Sequence, residues 1–434
     1  MSPAEAAAIL FGTFAVLVIL RIPVAFALGL ACIPVFFISP RLTPSILFDQ
    51  MFLSYNSFIL LAVPFFLLAA NLMNSAGITQ RLIDLAKALV GHLPGGLGHI
   101  NVVVSMMFAG ISGSSTADAA GIGSLLIPQM KKQGYDASFS VAITACSSVM
   151  GVIIPPSILM VVWGGLMSVS IGALFLAGVV PGLLITLSLM AIVHIYARRR
   201  GYPVYARADF SELRSAFASA FFALMTPLII VGGIVGGLFT PTEASVVAVA
   251  YTLIIGLFVY RTLTFMQLPG VLYDSARFAA ISLFCIGTAS AFGWILAYFK
   301  IPKAIVDVMA TWGAGPIETG LIVAASFLIV GMFIDAIPAI IILGTVLFPM
   351  ATAAGIHPVH FGIIGVVSLA FGLVTPPYGL CLLIASALGG IRLVEALRDV
   401  LVILLPMLGV LLFIILFPDL ILALPRLLMP RFIN

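Results

Sequence analysis

Residues 151–158 read GVIIPPSI, and residues 372–379 read GLVTPPYG. A Pro-Pro pair removes two backbone donors and steers the residue before it away from helix. Both stretches lie within long apolar runs, about 139–167 and 359–389, so each marks a broken helix. The breaks free the carbonyls around Val152 to Ile154 and Leu373 to Thr375. Unwound backbone at membrane depth survives only against protein or a wet cavity.

The two stretches are 221 residues apart, and their neighbours repeat at the same offset without a gap. Gly110 falls on Gly331, Gly123 on Gly344, Pro128 on Pro349, Gly134 on Gly355, Ser147 on Ser368 and Gly151 on Gly372. Apolar residues coincide easily in an apolar chain, but glycine and proline punctuate the backbone. The same breaks are therefore used twice, and the second half repeats the first.

Outward from these motifs the chain is a membrane protein. Of its 434 residues, 63% are hydrophobic and only 8% charged, against about 25% charged in soluble domains. A chain with 32 phenylalanines and so few charges is not disordered either. Residues 22–40, 50–80, 137–197, 215–242, 244–260 and 278–299 contain no Asp, Glu, Lys or Arg. At about 20 residues per crossing, roughly ten crossings fit. The net charge is only +4, and the basic residues are scattered, which excludes the dense patch that nucleic acid requires. Cys32, Cys146, Cys285 and Cys381 stand singly in apolar stretches and read as packing residues. Glu5 precedes the first apolar run and Arg21 follows it, which reads as a retained helix rather than a signal peptide.

Apolar blocks lie at 6–20, 23–39, 54–76, 139–167 and 172–196, then at 216–237, 242–260, 277–298, 359–389 and 399–424. Two more apolar segments, 95–130 and 316–353, are interrupted by GISGSSTAD and GMFIDAIP and are expected to be re-entrant hairpins. The expected organisation is a first repeat (1–196), a polar cytoplasmic hinge (197–214) carrying Arg198, Arg199, Arg200, Arg207 and Arg214, and a second repeat (215–434). Five crossings per half then place 14 of 19 basic residues inside, as the positive-inside rule asks. An odd number of crossings inverts the second copy, the pattern of secondary transporters with a midplane site at the repeat interface. The first hairpin would open from the cytoplasm and the second from the periplasmic face.

The hairpin tips, 110–118 and 331–338, and the two helix breaks should converge. Free carbonyls and hydroxyls suit a hard cation, and the half-helix N-termini after Pro156 and Pro377 favour an anion. The first tip holds Ser112, Ser114, Ser115 and Thr116, which either bind or bond back to the preceding turn. Asp335 is the only charge between residues 319 and 391; ion binding and capping of the following helix are both open to it. Asp118, the only charge between 88 and 130, is likewise functional or a structural helix-end carboxylate. Thr375 replaces Ile154 in the repeat, and Tyr378 replaces Ser157. His357 and His360 are spaced i, i+3 but show no fuller ligand pattern. The Gly110-Ile111-Ser112-Gly113 run also fits the GxSG pattern of rhomboid intramembrane proteases. That alternative, an intramembrane serine protease using Ser112, leaves the repeat unexplained; a channel is a third class.

The chain resembles the large membrane (permease) subunit of tripartite ATP-independent periplasmic (TRAP) transporters, which include C4-dicarboxylate and sialic acid permeases. The likeness runs through VPFFLLAANLMNSAGI (63–78), GHLPGGLGHINV (91–102), SGSSTADAAGIGSLLIPQM (112–130), GVIIPPSI (151–158), AGVVPGLL (177–184), TPTEAS (240–245), DAIPAIII (335–342) and TPPYGL (375–380). It implies an all-α, inverted-repeat, elevator-type transporter in the bacterial inner membrane, among lipids, driven by sodium ions. It also implies two partners: a small four-helix membrane subunit and a periplasmic substrate-binding protein that delivers an organic anion. Carried over by motif, a first sodium site joins Gly110, Ser112 and Ser114 to Gly151, Ile154 and Pro155. A second joins Gly331 and Asp335 to Gly372, Thr375 and Pro376. Substrate contacts fall to Ser115, Thr116, Ser157, Tyr378 and Gly379. The family more often has Val-Gly where Tyr378-Gly379 stands, and commonly a proline near Gly344-Thr345. The small subunit is expected on a scaffold made of residues 6–76 and 216–298.

Overall fold

In the computed structural model, which describes residues 2–39 and 42–433, every regular element among the described residues is helical. Six helices are long and apolar enough to span a bilayer: Ile171–Arg200, Phe210–Val235, Pro241–Val259, Leu268–Tyr298, Ala336–Ala353 and Leu393–Leu416. Ser45–Tyr55 and Ile59–Ser75, bent by 71° at their junction, form a seventh as a pair. Other apolar helices are shorter, 10–17 residues, because the Gly and Pro breaks divide them. The protein is an all-α, polytopic membrane protein.

Both predicted hairpins are present as two helices around a short break. The first pairs Gly96–Ser112 with Ser115–Lys132, and the second pairs Pro316–Gly331 with a helix over Ala336–Ala353 that takes a π turn at Ile340–Gly344. The two Pro-Pro runs split Ala137–Ser148 from Ile158–Met167 and Pro358–Gly372 from Leu380–Gly389. Pro155-Pro156 and Pro376-Pro377 are both cis.

Several boundaries differ from the hydropathy reading. The polar linker is shorter than 197–214: the helix before it continues to Arg200, where Gly201 closes it in the left-handed conformation. The next begins at Phe210, held by the reciprocal Asp209–Glu212 capping box. The apolar block 399–424 is two helices, Leu393–Leu416 and Pro418–Leu428, separated at Phe417. Two helices, Ile78–Val90 and Ile301–Trp312, lie outside the apolar blocks. Ile78–Val90 buries Ile78, Leu82, Ile83, Leu85 and Ala86 and exposes Gln80, Asp84 and Lys87, the mark of an amphipathic helix.

Two bodies emerge from the packing. In one, Leu268–Tyr298 packs on Val24–Ile38, Ser45–Tyr55 and Ala62–Ser75, with Pro241–Ile254 beside them. In the other, the hairpins and broken helices pack with Leu393–Leu416 and Ile171–Arg200. Outside both, side chains such as Phe37 and Phe52 are more than 70% exposed, as expected of a surface that meets lipid.

One polar cluster ties the second body together beyond the helix ends. Arg200 reaches Asp136 and Asp399, each at 2.7 Å, and stacks over the Tyr196 ring. Tyr202 donates to Asp136 at 2.6 Å, and Ser138 donates to buried Asp399 at 2.7 Å. The Tyr202 phenol, then the Arg200 guanidinium, hold the Asp136 carboxyl below the ordinary carboxylate range. A depressed carboxyl pKa stabilises above the unfolded value and loses that contribution as pH falls through the folded one. We therefore expect the cluster to survive intact to about pH 4 and to weaken below it. Arg200→Ala, which strands Asp399, should cost about 3 kcal/mol in detergent-solubilised thermal unfolding at pH 7. The neighbouring Arg199→Ala should stay within about 0.5 kcal/mol of wild type.

Candidate functional site

At the first tip, Gly113 ends the incoming helix with φ +64°. A Cβ there would lie 3.0 Å from the Pro156 carbonyl oxygen and 3.1 Å from the Ile158 nitrogen, so only glycine admits the contact. Through it, the Ile158 N–H donates to the Gly113 carbonyl at 3.3 Å. Ser114 then caps the returning helix, accepting from the Ala117 amide at 3.5 Å. Ser115 donates to the Val149 carbonyl at 3.4 Å, tying the tip to the short 3-10 turn that precedes the break.

Ser112 donates to Asp118, six residues on across the tip. Asp118 is fully buried, and its second oxygen, Oδ2, rests against Gly151 and has no hydrogen-bond partner among the described residues. A buried carboxylate with an open oxygen beside Ser112 and the break is a donor set suited to a cation. The sequence placed Asp118 near the tip; only the fold shows that it turns back onto Ser112. The same pairing removes Ser112 from the role of an accessible nucleophile, since its side chain is buried and bonded to a carboxylate.

The second tip repeats the contact at the equivalent donor. The Gly379 N–H, 221 residues after Ile158, donates to the Met332 carbonyl at 3.3 Å. Gly372 approaches Gly331 so closely that a Cβ on Gly372 would lie 2.7 Å from Gly331 backbone atoms. Thr375 is buried and donates to the Phe371 carbonyl at 2.6 Å. Asp335 stands at the start of Ala336–Ala339 with no side-chain capping hydrogen bond.

Not all of the expected free carbonyls are free. Val152 accepts from the Ser157 hydroxyl at 2.6 Å, and Leu373 accepts from the Cys381 N–H at 3.0 Å. Among the described residues, the carbonyls of Ile153, Ile154, Val374 and Thr375 meet no N–H or O–H. Two of the freed groups are thus satisfied by the helix that resumes after each Pro-Pro pair.

Between the two bodies lies a cavity of about 340 Å³. Of the residues expected to bind, Ser114, Ser115, Thr116 and Asp335 are on its wall, together with Gly113 from the first tip and Val152 and Leu373 from the breaks. Ser157 is buried, caps Ile158–Met167 through the Met160 N–H at 3.2 Å, and is not on the wall. Tyr378 and Gly379 are not on it either. Gly110, Ser112, Gly151, Ile154, Pro155, Gly331, Gly372, Thr375 and Pro376 do not line it. The opposite wall, Leu67, Phe278, Ile281 and Ser282, was not anticipated. The i, i+3, i+4 spacing of the last three places them on one helix face, but spacing alone does not say which face meets a cavity.

The Gly331–Gly372 contact gives a direct test. Gly372→Ala puts a methyl against backbone that cannot rotate away, and should cost about 1–3 kcal/mol and separate tip from break. Gly121→Ala, whose Cβ would meet nothing nearer than Asn74 Oδ1 at 3.9 Å, should leave thermal unfolding within about 0.5 kcal/mol of wild type.

Comparison with known proteins places this arrangement. The sequence profile of the family described as "Tripartite ATP-independent periplasmic transporter, DctM component" matches residues 11–420. The chain is 40% identical over 379 residues to the sialic acid TRAP transporter large permease protein SiaM of Vibrio cholerae, covering 87% of this chain and 89% of that one. It is also 40% identical over 377 residues to the C4-dicarboxylate TRAP transporter large permease protein DctM of Pseudomonas aeruginosa, covering 87% and 88%. In fold it is similar to the Alcanivorax borkumensis YdaH transporter, with a TM-score of 0.62 at 14% identity over 86% of this chain and 87% of that one. These relatives are named as transporters and not as enzymes. With its apolar spans and this family match, the chain is a multi-pass bacterial inner-membrane protein and belongs to the large permease (DctM) component of the tripartite ATP-independent periplasmic transporters.

Proposed function

We propose that this subunit imports a small organic anion together with sodium ions, by moving the body of hairpins and broken helices against the scaffold. The observation that carries the reading is the single cavity that both tips and both breaks line on one side and scaffold residues Leu67, Phe278 and Ile281 close on the other. A site shared between two bodies changes its exposure when one slides on the other, which is the logic of inverted-repeat carriers. In this reading the two repeats are inverted about the polar linker, which faces the cytoplasm.

Sodium is cargo here. The first ion is held by the hydroxyls of Ser112 and Ser114 with carbonyls of the 151–155 break, and Asp118 behind Ser112 supplies negative charge. The second is held by Asp335, the Thr375 hydroxyl and carbonyls near Gly331, Gly372 and Pro376. The anion lies at Ser114 to Thr116, against the N-terminus of Ser115–Lys132, where the helix dipole favours negative charge. Relatives named for sialic acid, C4-dicarboxylate and 2,3-diketo-L-gulonate support an organic acid as cargo. A periplasmic binding protein delivers it, and the small four-helix subunit braces the scaffold from the lipid side, as the tripartite family implies.

Uptake into proteoliposomes carrying both membrane subunits should require an inward sodium gradient and the binding protein. Uptake unchanged in sodium-free buffer would sink the coupling. Asp335→Ala and Ser114→Ala should each lower uptake by roughly tenfold or more, about 1.4 kcal/mol, with thermal unfolding close to wild type. Wild-type sodium dependence in either variant would leave that residue a merely structural role.

A further inference from the structure

We infer that the cargo is an amphipathic monoanion, a carboxylate on an aliphatic or aromatic body, rather than a dicarboxylate or a polyhydroxylated sugar acid. The inference rests on reading the cavity as the substrate site. Its polar side chains are few: Ser114, Ser115 and Thr116 from the first tip, Asp335 from the second, and Ser282 from the helix opposite. Even these hydroxyls are partly engaged: Ser115 donates to the Val149 carbonyl, and Ser114 and Thr116 lie 3.2 Å apart as hydrogen-bond partners.

Most of the remaining lining is hydrocarbon. Ile158, Leu373, Leu380 and Ile384 line the mobile side, and Phe278 and Ile281 the scaffold side. Among the described residues, no lysine, arginine, histidine, asparagine or glutamine contributes to the wall. One anionic head therefore finds hydroxyls and a helix N-terminus, while a second carboxylate would find little besides Ser282 and otherwise isoleucine, leucine and phenylalanine. Each hydroxyl of a sugar acid would likewise lose water without gaining a partner, which burial penalises. An apolar body instead gains by leaving water.

The test is thermal unfolding of the purified complex of both membrane subunits, in sodium and in potassium, with four probes. These are 4-methyl-2-oxopentanoate, phenylacetate, succinate and sialic acid. The first two should stabilise the complex in sodium at concentrations roughly tenfold below any effect of the last two. Ile384→Ser should weaken the response to phenylacetate and leave the sodium requirement in place. Stabilisation by succinate or sialic acid alone would overturn the inference and leave the sodium-coupled carrier intact. Equal stabilisation in potassium would overturn the coupling and keep the cargo class. No response to any of the four would overturn both.

Discussion

A peptide carbonyl that leaves its helix inside a bilayer has no water to turn to, and this fold is organised around where such carbonyls go. Each Pro-Pro pair opens a helix at membrane depth, and the chain answers with contacts from its own hairpin tips. Ile158 donates to Gly113, Gly379 donates to Met332, and the resumed helices return a Ser157 hydroxyl to Val152 and the Cys381 amide to Leu373. Among the described residues, the carbonyls left over are those of Ile153, Ile154, Val374 and Thr375. Hairpin and break are therefore one device: neither persists at that depth without the other.

Much of this was legible in sequence because glycine and proline report the backbone directly. The 221-residue offset located both hairpins and both breaks before any packing was known, and the structure carries a helix interruption at each. The residues behind the tips followed from the same punctuation. Hydropathy was a poorer guide where polarity and helicity part company. Ile78–Val90 is helical because one face is apolar, and a search for apolar blocks passes over it. The helix from Phe210 starts inside an arginine-bearing stretch because of its capping box.

What stayed hidden depends on direction in space. Ser112 and Asp118 are six residues apart, and nothing in that spacing says that the helix after Ser114 folds the carboxylate back onto the hydroxyl. Ser157 was placed with the substrate from its position after Pro156, yet its hydroxyl serves the break itself. The cavity wall of Phe278 and Ile281 lay inside a charge-free stretch that marked a span without marking its inner face. The Arg200 cluster joins side chains from positions 136 to 399, a separation no local pattern reveals.

The meeting of Gly331 with Gly372 has a consequence for how such a carrier can change. At that contact, and where Gly113 meets Pro156, main chain touches main chain, so no side chain is available for exchange. The lining of the cavity is the reverse: leucine, isoleucine and phenylalanine side chains on both walls, each replaceable without moving the backbone behind it. Drift in sequence is thereby channelled to that lining. It can be repainted residue by residue, while the main-chain joinery behind it passes unaltered from one descendant to the next.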